Sequence, residues 1–162
     1  GRLKDDDFWY RYIYPKNLNL FKEKKMIAPE ISLGGNFSLD EKGEFYSTTT
    51  LYGYIKKTNV EESYYTLLAI LNSNLFWWYL RKTGTVLANN YFRFKPAYIN
   101  PFPMPNISKS SDEWLTKTVQ DLIKAKEDNN LEEQHLLTGL INDYIYDLFQ
   151  LSESDITVIK LS

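Results

Sequence analysis

Residues 72–105 read NSNLFWWYLRKTGTVLANNYFRFKPAYINPFPMP. Within them the hydrophobic period changes twice. Upstream and into the stretch, Tyr64, Leu67, Leu68, Leu71, Leu75, Phe76 and Tyr79 recur at helical spacing. Asn72-Ser73-Asn74 divides that run into two helices, and Gly84 stops the second. Residues 91–95, YFRFK, then alternate as a strand does, placing Phe92 and Phe94 on one face and Tyr91, Arg93 and Lys95 on the other. Pro101, Pro103 and Pro105 force an extended exit that cannot lie in the middle of a sheet.

Basic residues gather at both rims of the intervening loop, TGTVLANN: Arg81 and Lys82 before it, Arg93 and Lys95 after it. The loop supplies Thr83, Thr85, Asn89 and Asn90, with Tyr91 at its end. Arginine and asparagine pair with base edges while lysine mostly meets phosphate, so the group reads as an anion- or nucleic-acid-facing surface. Lys24, Lys25, Lys56 and Lys57, with Lys22, are secondary candidates for phosphate contacts. Leu75, Phe76, Trp78 and Phe94 are assigned to the core, since aromatics at helical spacing pack inward more often than they form stacking platforms.

The segments around this stretch are strand-like before it and helical after it. Residues 8–14 (FWYRYIY) read as a first strand or arm, and residues 24–31 (KKMIAPEI) as a short buried strand with Pro29 near its end. FSLDEKGEFY predicts a hairpin bending at Glu41-Lys42-Gly43, and STTTLYGYIK the next strand. Asn59 with Glu62 reads as a capping box for the aromatic helix. Beyond residue 106, Ser110 with Glu113 caps one helix, residues 131–149 form a second, and Ser152 with Asp155 caps a third. The short Asp128-Asn129-Asn130 link predicts an antiparallel helical hairpin.

Bulk properties set the limits. At 162 residues the length fits one domain, and 16% aromatic content argues for a packed core. Cysteine is absent, which removes disulfides and thiolate chemistry and suits a cytoplasmic protein. The opening GRLKDDDFWY has no secretory apolar region, and the apolar run at 67–80 falls short of the ~20 residues that span a bilayer. Net charge is −2, distributed unevenly: residues 1–105 hold 14 Lys/Arg against 10 Asp/Glu, and residues 106–162 hold 5 against 11. The basic half and acidic tail are a partner signal, though +4 supports only modest electrostatic affinity for DNA.

Catalytic motifs are scarce. The single histidine, His135, lies among acidic residues and leucines on a helix and is read as a side chain without a catalytic role. No nucleophile elbow, phosphate-binding lysine loop or glycine-rich dinucleotide turn appears. Glu23-Lys24-Lys25 with Asp5, Asp6 and Asp7 matches a nuclease fragment formally, and a charged surface turn accounts for it as well. No metal site is expected.

The order KKMIAPEIS, GEFYSTTTLYGYI, YYTLLAILNSNLFWWYLR, YFRFKPAYINPFPMP resembles the TaqI-like specificity domain of type IIG restriction-modification enzymes and adenine-specific DNA methyltransferases. The tail LINDYIYDLFQLSESDI is similar to the helix that often closes such proteins, so the resemblance runs from about Trp9 to Ile156. It implies a bacterial target-recognition domain that grips double-stranded DNA beside a methyltransferase domain of the same parent chain. That other domain would flip the adenine and use S-adenosylmethionine, and the fragment itself would need no cofactor. The chain has no N-P-P-Y/F motif and begins at Gly1, as expected of an excised C-terminal piece without catalysis of its own.

The fold class expected is therefore α+β. Residues 1–105 would form a target-recognition core, a small mixed or antiparallel sheet packed with a central aromatic-rich helix, and residues 106–162 a C-terminal helical hairpin and tail. Three other readings are a type I specificity-subunit fragment with a spacer tail, a protein-interaction module built on the aromatics, and a nuclease using Asp7, Glu23 and Lys25.

Overall fold

A computed structural model of the chain describes residues 17–47 and 50–161. The strand or arm expected at residues 8–14 and the acidic residues Asp5, Asp6 and Asp7 lie outside them. The architecture is α+β, with two small antiparallel sheets against a layer of helices.

Strand β1 (Lys25–Pro29) is central in the first sheet, between β3 (Ser38–Asp40) and β4 (Leu51–Tyr54). Met26 faces Leu39 on one side and Tyr54 on the other. Pairing with β3 stops at Ile27, so Pro29 faces only Leu51 of β4 and interrupts no second ladder. The second sheet pairs β2 (Ile31–Ser32) with β5 (Phe92–Arg93), Ile31 opposite Arg93 and Ser32 opposite Phe92.

The hairpin predicted for FSLDEKGEFY does not form. After β3 the chain bends at residues 41–43, and residues 44–47 join no strand. The reason is Asp40, whose carboxylate accepts the N–H groups of Glu44 and Phe45, each at 3.0 Å. Those donors would otherwise have been available to a returning strand. Gly43 makes the bend at φ +67°, against the Lys22 carbonyl oxygen, where a Cβ would lie 2.1 Å away.

Asn72-Ser73-Asn74 breaks the aromatic segment as predicted, into α1 (Tyr64–Leu71) and α2 (Asn74–Thr83). Ser73 caps α2 by accepting from the Phe76 N–H at 3.1 Å. The cap of α1 is Ser63 rather than an Asn59/Glu62 box: its side chain takes the Thr66 N–H, and its own N–H donates to Asp112 Oδ1 at 2.8 Å. The expected strand at 91–95 is shorter, because Pro96 opens a one-turn helix, α3 (Pro96–Ile99).

Helices α4 (Lys109–Glu127), α5 (Leu131–Leu148) and α6 (Glu153–Lys160) follow. Ser108, not Ser110, caps α4, whereas the Ser152/Asp155 box of α6 forms as read. Helices α4 and α5 run antiparallel, tied by Gln134 to the Ala125 carbonyl at one end and by the Tyr144 hydroxyl to Ser111 at the other. α4 packs on α1, and α5 and α6 pack on α2. One apolar cluster runs through sheet and helices, from Phe37, Ile70, Phe76, Leu80 and Phe94 to Leu115, Ile145 and Tyr146. Its buried aromatics pack edge-to-face, as Phe76 does with Phe102 at 5.0 Å.

Candidate nucleic-acid interface

The last turn of α2 carries Arg81 and Lys82 toward the surface. Arg81 lies one helical turn after Trp77, and its guanidinium sits over the indole ring, 5.6 Å from the ring centroid. Trp77 is held edge-on against Phe92 at 5.2 Å and stacked on Phe94 at 6.3 Å, with the planes 6° apart. Thus Phe92 and Phe94, buried from β5 onward as the alternation predicts, support the tryptophan that carries Arg81.

Gly84 ends α2 with extended backbone, its N–H on the Leu80 carbonyl at 2.7 Å. Glycine is needed there for close approach, since a Cβ would stand 2.7 Å from that oxygen. The chain then forms a narrow loop. Val86 bridges Phe92, and the Leu87 N–H donates to the Tyr91 carbonyl at 2.7 Å. A tight turn at Ala88–Asn90 closes it, with Asn89 at φ 60°, a left-handed conformation that asparagine tolerates. Val86, Asn89 and Tyr91 are exposed. The Thr85 hydroxyl bonds the Tyr98 hydroxyl, and Thr83 Oγ1 donates to the Tyr79 carbonyl at 2.9 Å.

On the far rim, Arg93 lies opposite Ile31, and its Nε stands 3.5 Å from Glu30 Oε1, an ion pair without hydrogen-bond geometry. The Phe94 N–H donates to the Glu30 carbonyl at 2.7 Å, so β5 and residue 30 are joined through the main chain as well. Below, the Tyr54 hydroxyl donates to the Phe94 carbonyl at 3.4 Å. Burial, then the neighbouring Tyr52, pushes the Tyr54 phenol upward and keeps it a neutral donor. Lys95 is half-buried at the start of α3.

Arg81, Lys82, Thr83, Thr85, Asn89, Asn90, Tyr91, Arg93 and Lys95 thus belong to one continuous unit: helix end, loop and strand. The secondary lysines do not. Lys25 is a correction: it is 2% exposed, its ammonium bonded to Asp40 and to the Phe21 carbonyl, and it reaches no external phosphate. Lys24 pairs with Glu41 at 2.7 Å and Lys56 donates to the Glu62 carbonyl at 2.7 Å, both over the Tyr64 ring. Lys22 and Lys57 are exposed.

Burial of Lys25 also removes the lysine from the Glu23-Lys24-Lys25 nuclease fragment. Among the described residues no group of three or more His, Asp or Glu side chains is placed to hold a metal, and His135 is exposed on α5. None of the described helices is long and apolar enough to cross a membrane. The i, i+4 spacing of Trp77 and Arg81 is a legible signal for their contact. Glu30 carries no such signal, because only the β2–β5 pairing brings it to Arg93.

The model of the TaqI-like C-terminal specificity domain matches residues 7–104, more than half of the chain. The chain belongs to that family. The match includes every strand among the described residues, the α1–α2 pair and the whole basic loop, and it ends before α4. Membership in the TaqI-like specificity family points to DNA target recognition in restriction-modification enzymes. A specificity domain is not itself catalytic.

Proposed function

We propose that this domain reads duplex DNA with the 81–95 unit, as the specificity part of an adenine-specific DNA methyltransferase or type IIG restriction enzyme working in the cytoplasm. A methyltransferase domain of the same parent chain would bind S-adenosylmethionine and act on the flipped base. The observation that carries the reading is the flanking of one closed loop, bridged at Val86 and Phe92, by Arg81 and Lys82 on one rim and Arg93 and Lys95 on the other. Arginines braced by Trp77 and Glu30 suit bidentate contacts with guanine, the exposed Asn89 suits adenine, and Lys82 and Lys95 suit phosphates.

The test is selection from a random-sequence duplex pool at low salt, with the wild-type chain and with the Arg81→Ala/Arg93→Ala double variant. Wild type is expected to enrich a defined motif, and the double variant a motif degenerate at one or two positions. Uniform weakening with the motif intact would make these arginines phosphate contacts and move base reading elsewhere. No enrichment by wild type would overturn the proposal.

A further inference from the structure

We propose that Glu30 is a positioning residue that aims Arg93, and so sets one base preference of the domain; this rests on the reading of the 81–95 unit as the DNA-facing surface. Glu30 links the two sheets. Its N–H donates to the Thr50 carbonyl at 2.8 Å, beside β4, and its carbonyl accepts the Phe94 N–H at 2.7 Å, beyond β5. Its backbone is therefore clamped on both sides. Its side chain is one-quarter exposed and that of Arg93 one-third, so the carboxylate acts in a partly shielded setting rather than in open water.

The carboxylate faces Nε of Arg93, an atom shielded from solvent that makes no hydrogen bond among the described residues. A guanidinium has two forked edges. Occupying the Nε side leaves the terminal Nη1/Nη2 fork as the edge for an external acceptor pair, the geometry that matches guanine O6 and N7. Arg93 is thereby oriented before DNA arrives, and less rotamer freedom remains to be lost on binding. A carboxylate beside a DNA-facing surface repels phosphate, so by charge alone Glu30 lowers affinity. Its contribution is discrimination.

These two effects have opposite signs, which makes the inference testable with the chain as it stands. The motif enriched from a random duplex pool and the affinity for one arbitrary duplex across a salt series would be measured for wild type, Glu30→Gln, Arg93→Lys, Arg93→Ala and Glu30→Gln/Arg93→Ala. Glu30→Gln should reduce discrimination about tenfold at the position degraded in Arg93→Ala, while affinity for the arbitrary duplex stays level or rises. The double variant should discriminate no worse than Arg93→Ala. Arg93→Lys, which keeps the charge and loses the fork, should lose the same position, and retention of the motif by this variant refutes the role whether or not Glu30→Gln folds.

If Arg93→Ala degrades the motif but Glu30→Gln leaves it intact, the positioning role is refuted and the DNA reading stands. The positioning role is equally refuted if Arg93→Lys retains the motif, or if the two sites govern different positions. If wild type enriches nothing, both proposals fall.

Discussion

The backbone N–H of Asn74, the first residue of α2, donates to the side-chain Oδ1 of Asn142 on α5 at 2.8 Å. The Asn142 Nδ2 donates in turn to the Thr138 carbonyl at 2.9 Å, which fixes the amide's orientation. Asp112 of α4 does the same for the Ser63 N–H at the head of α1. Both aromatic helices of the specificity domain therefore have N-terminal donors satisfied by helices beyond the family match. An unmet donor at a helix start is a stability cost wherever it is shielded from water.

Asn142 is 7% exposed, so its loss leaves the Asn74 N–H without an acceptor. Asn142→Leu is expected to destabilise the chain by about 1–3 kcal/mol, lowering Tm by several degrees. Thermal unfolding followed by circular dichroism checks this. An unchanged Tm would show that the Asn142 bond contributes nothing to holding α2.

The buried pair of Lys25 and Asp40 makes stability depend on acid. Burial opposes ionisation of Asp40, but hydrogen bonds from the Lys25 ammonium and from the Phe45 and Glu44 N–H groups outweigh it and hold the carboxyl below its ordinary 3.8. A depressed carboxyl stabilises the fold above its unfolded value, and that stability is lost as pH falls below about 4 toward the folded value. Asp40→Asn should cost about 3–5 kcal/mol at neutral pH, since it leaves the Lys25 charge buried without its counter-ion. It should also flatten the acid limb of a urea-unfolding pH profile. Lys25→Met/Asp40→Leu should recover only part of the loss, since the Glu44 and Phe45 N–H groups still lose their acceptor.

The tip of the basic loop depends on one left-handed residue, Asn89 at φ 60°. Asn89→Gly should leave stability within about 0.5 kcal/mol, while Asn89→Val should cost about 1–2 kcal/mol, because a branched Cβ crowds the following carbonyl in that conformation. Chemical denaturation separates the two. If Asn89 reads a base edge, both variants should also lose discrimination at a common position, which the duplex selection would show.

Lys82 is exposed and Lys95 half-exposed at opposite rims. Assigned to phosphates, each should lower the salt slope of log K by about 1 when changed to alanine, and weaken binding to all duplexes alike. Fluorescence anisotropy across a salt series measures this. A sequence-dependent loss would instead make the lysine a base contact.

What could be read along the chain was whatever a local period encodes. The α1–α2 break at Asn72-Ser73-Asn74, the alternation of Phe92 and Phe94, the α4–α5 hairpin and the box at Ser152 and Asp155 each rest on neighbours within one or two turns. The contiguous members of the candidate interface were legible for the same reason. Partners distant in sequence decided the rest. Asp40 looked like part of a hairpin, and became a cap for its own loop once Lys25 was buried beside it. Ser63, rather than Asn59, starts α1 in contact with Asp112, 49 residues away. Glu30 meets Arg93 only because β2 and β5 pair. Period and capping are short-range energies written in adjacent residues, whereas burial of a charge and the company of an arginine depend on which surfaces the folded chain brings together.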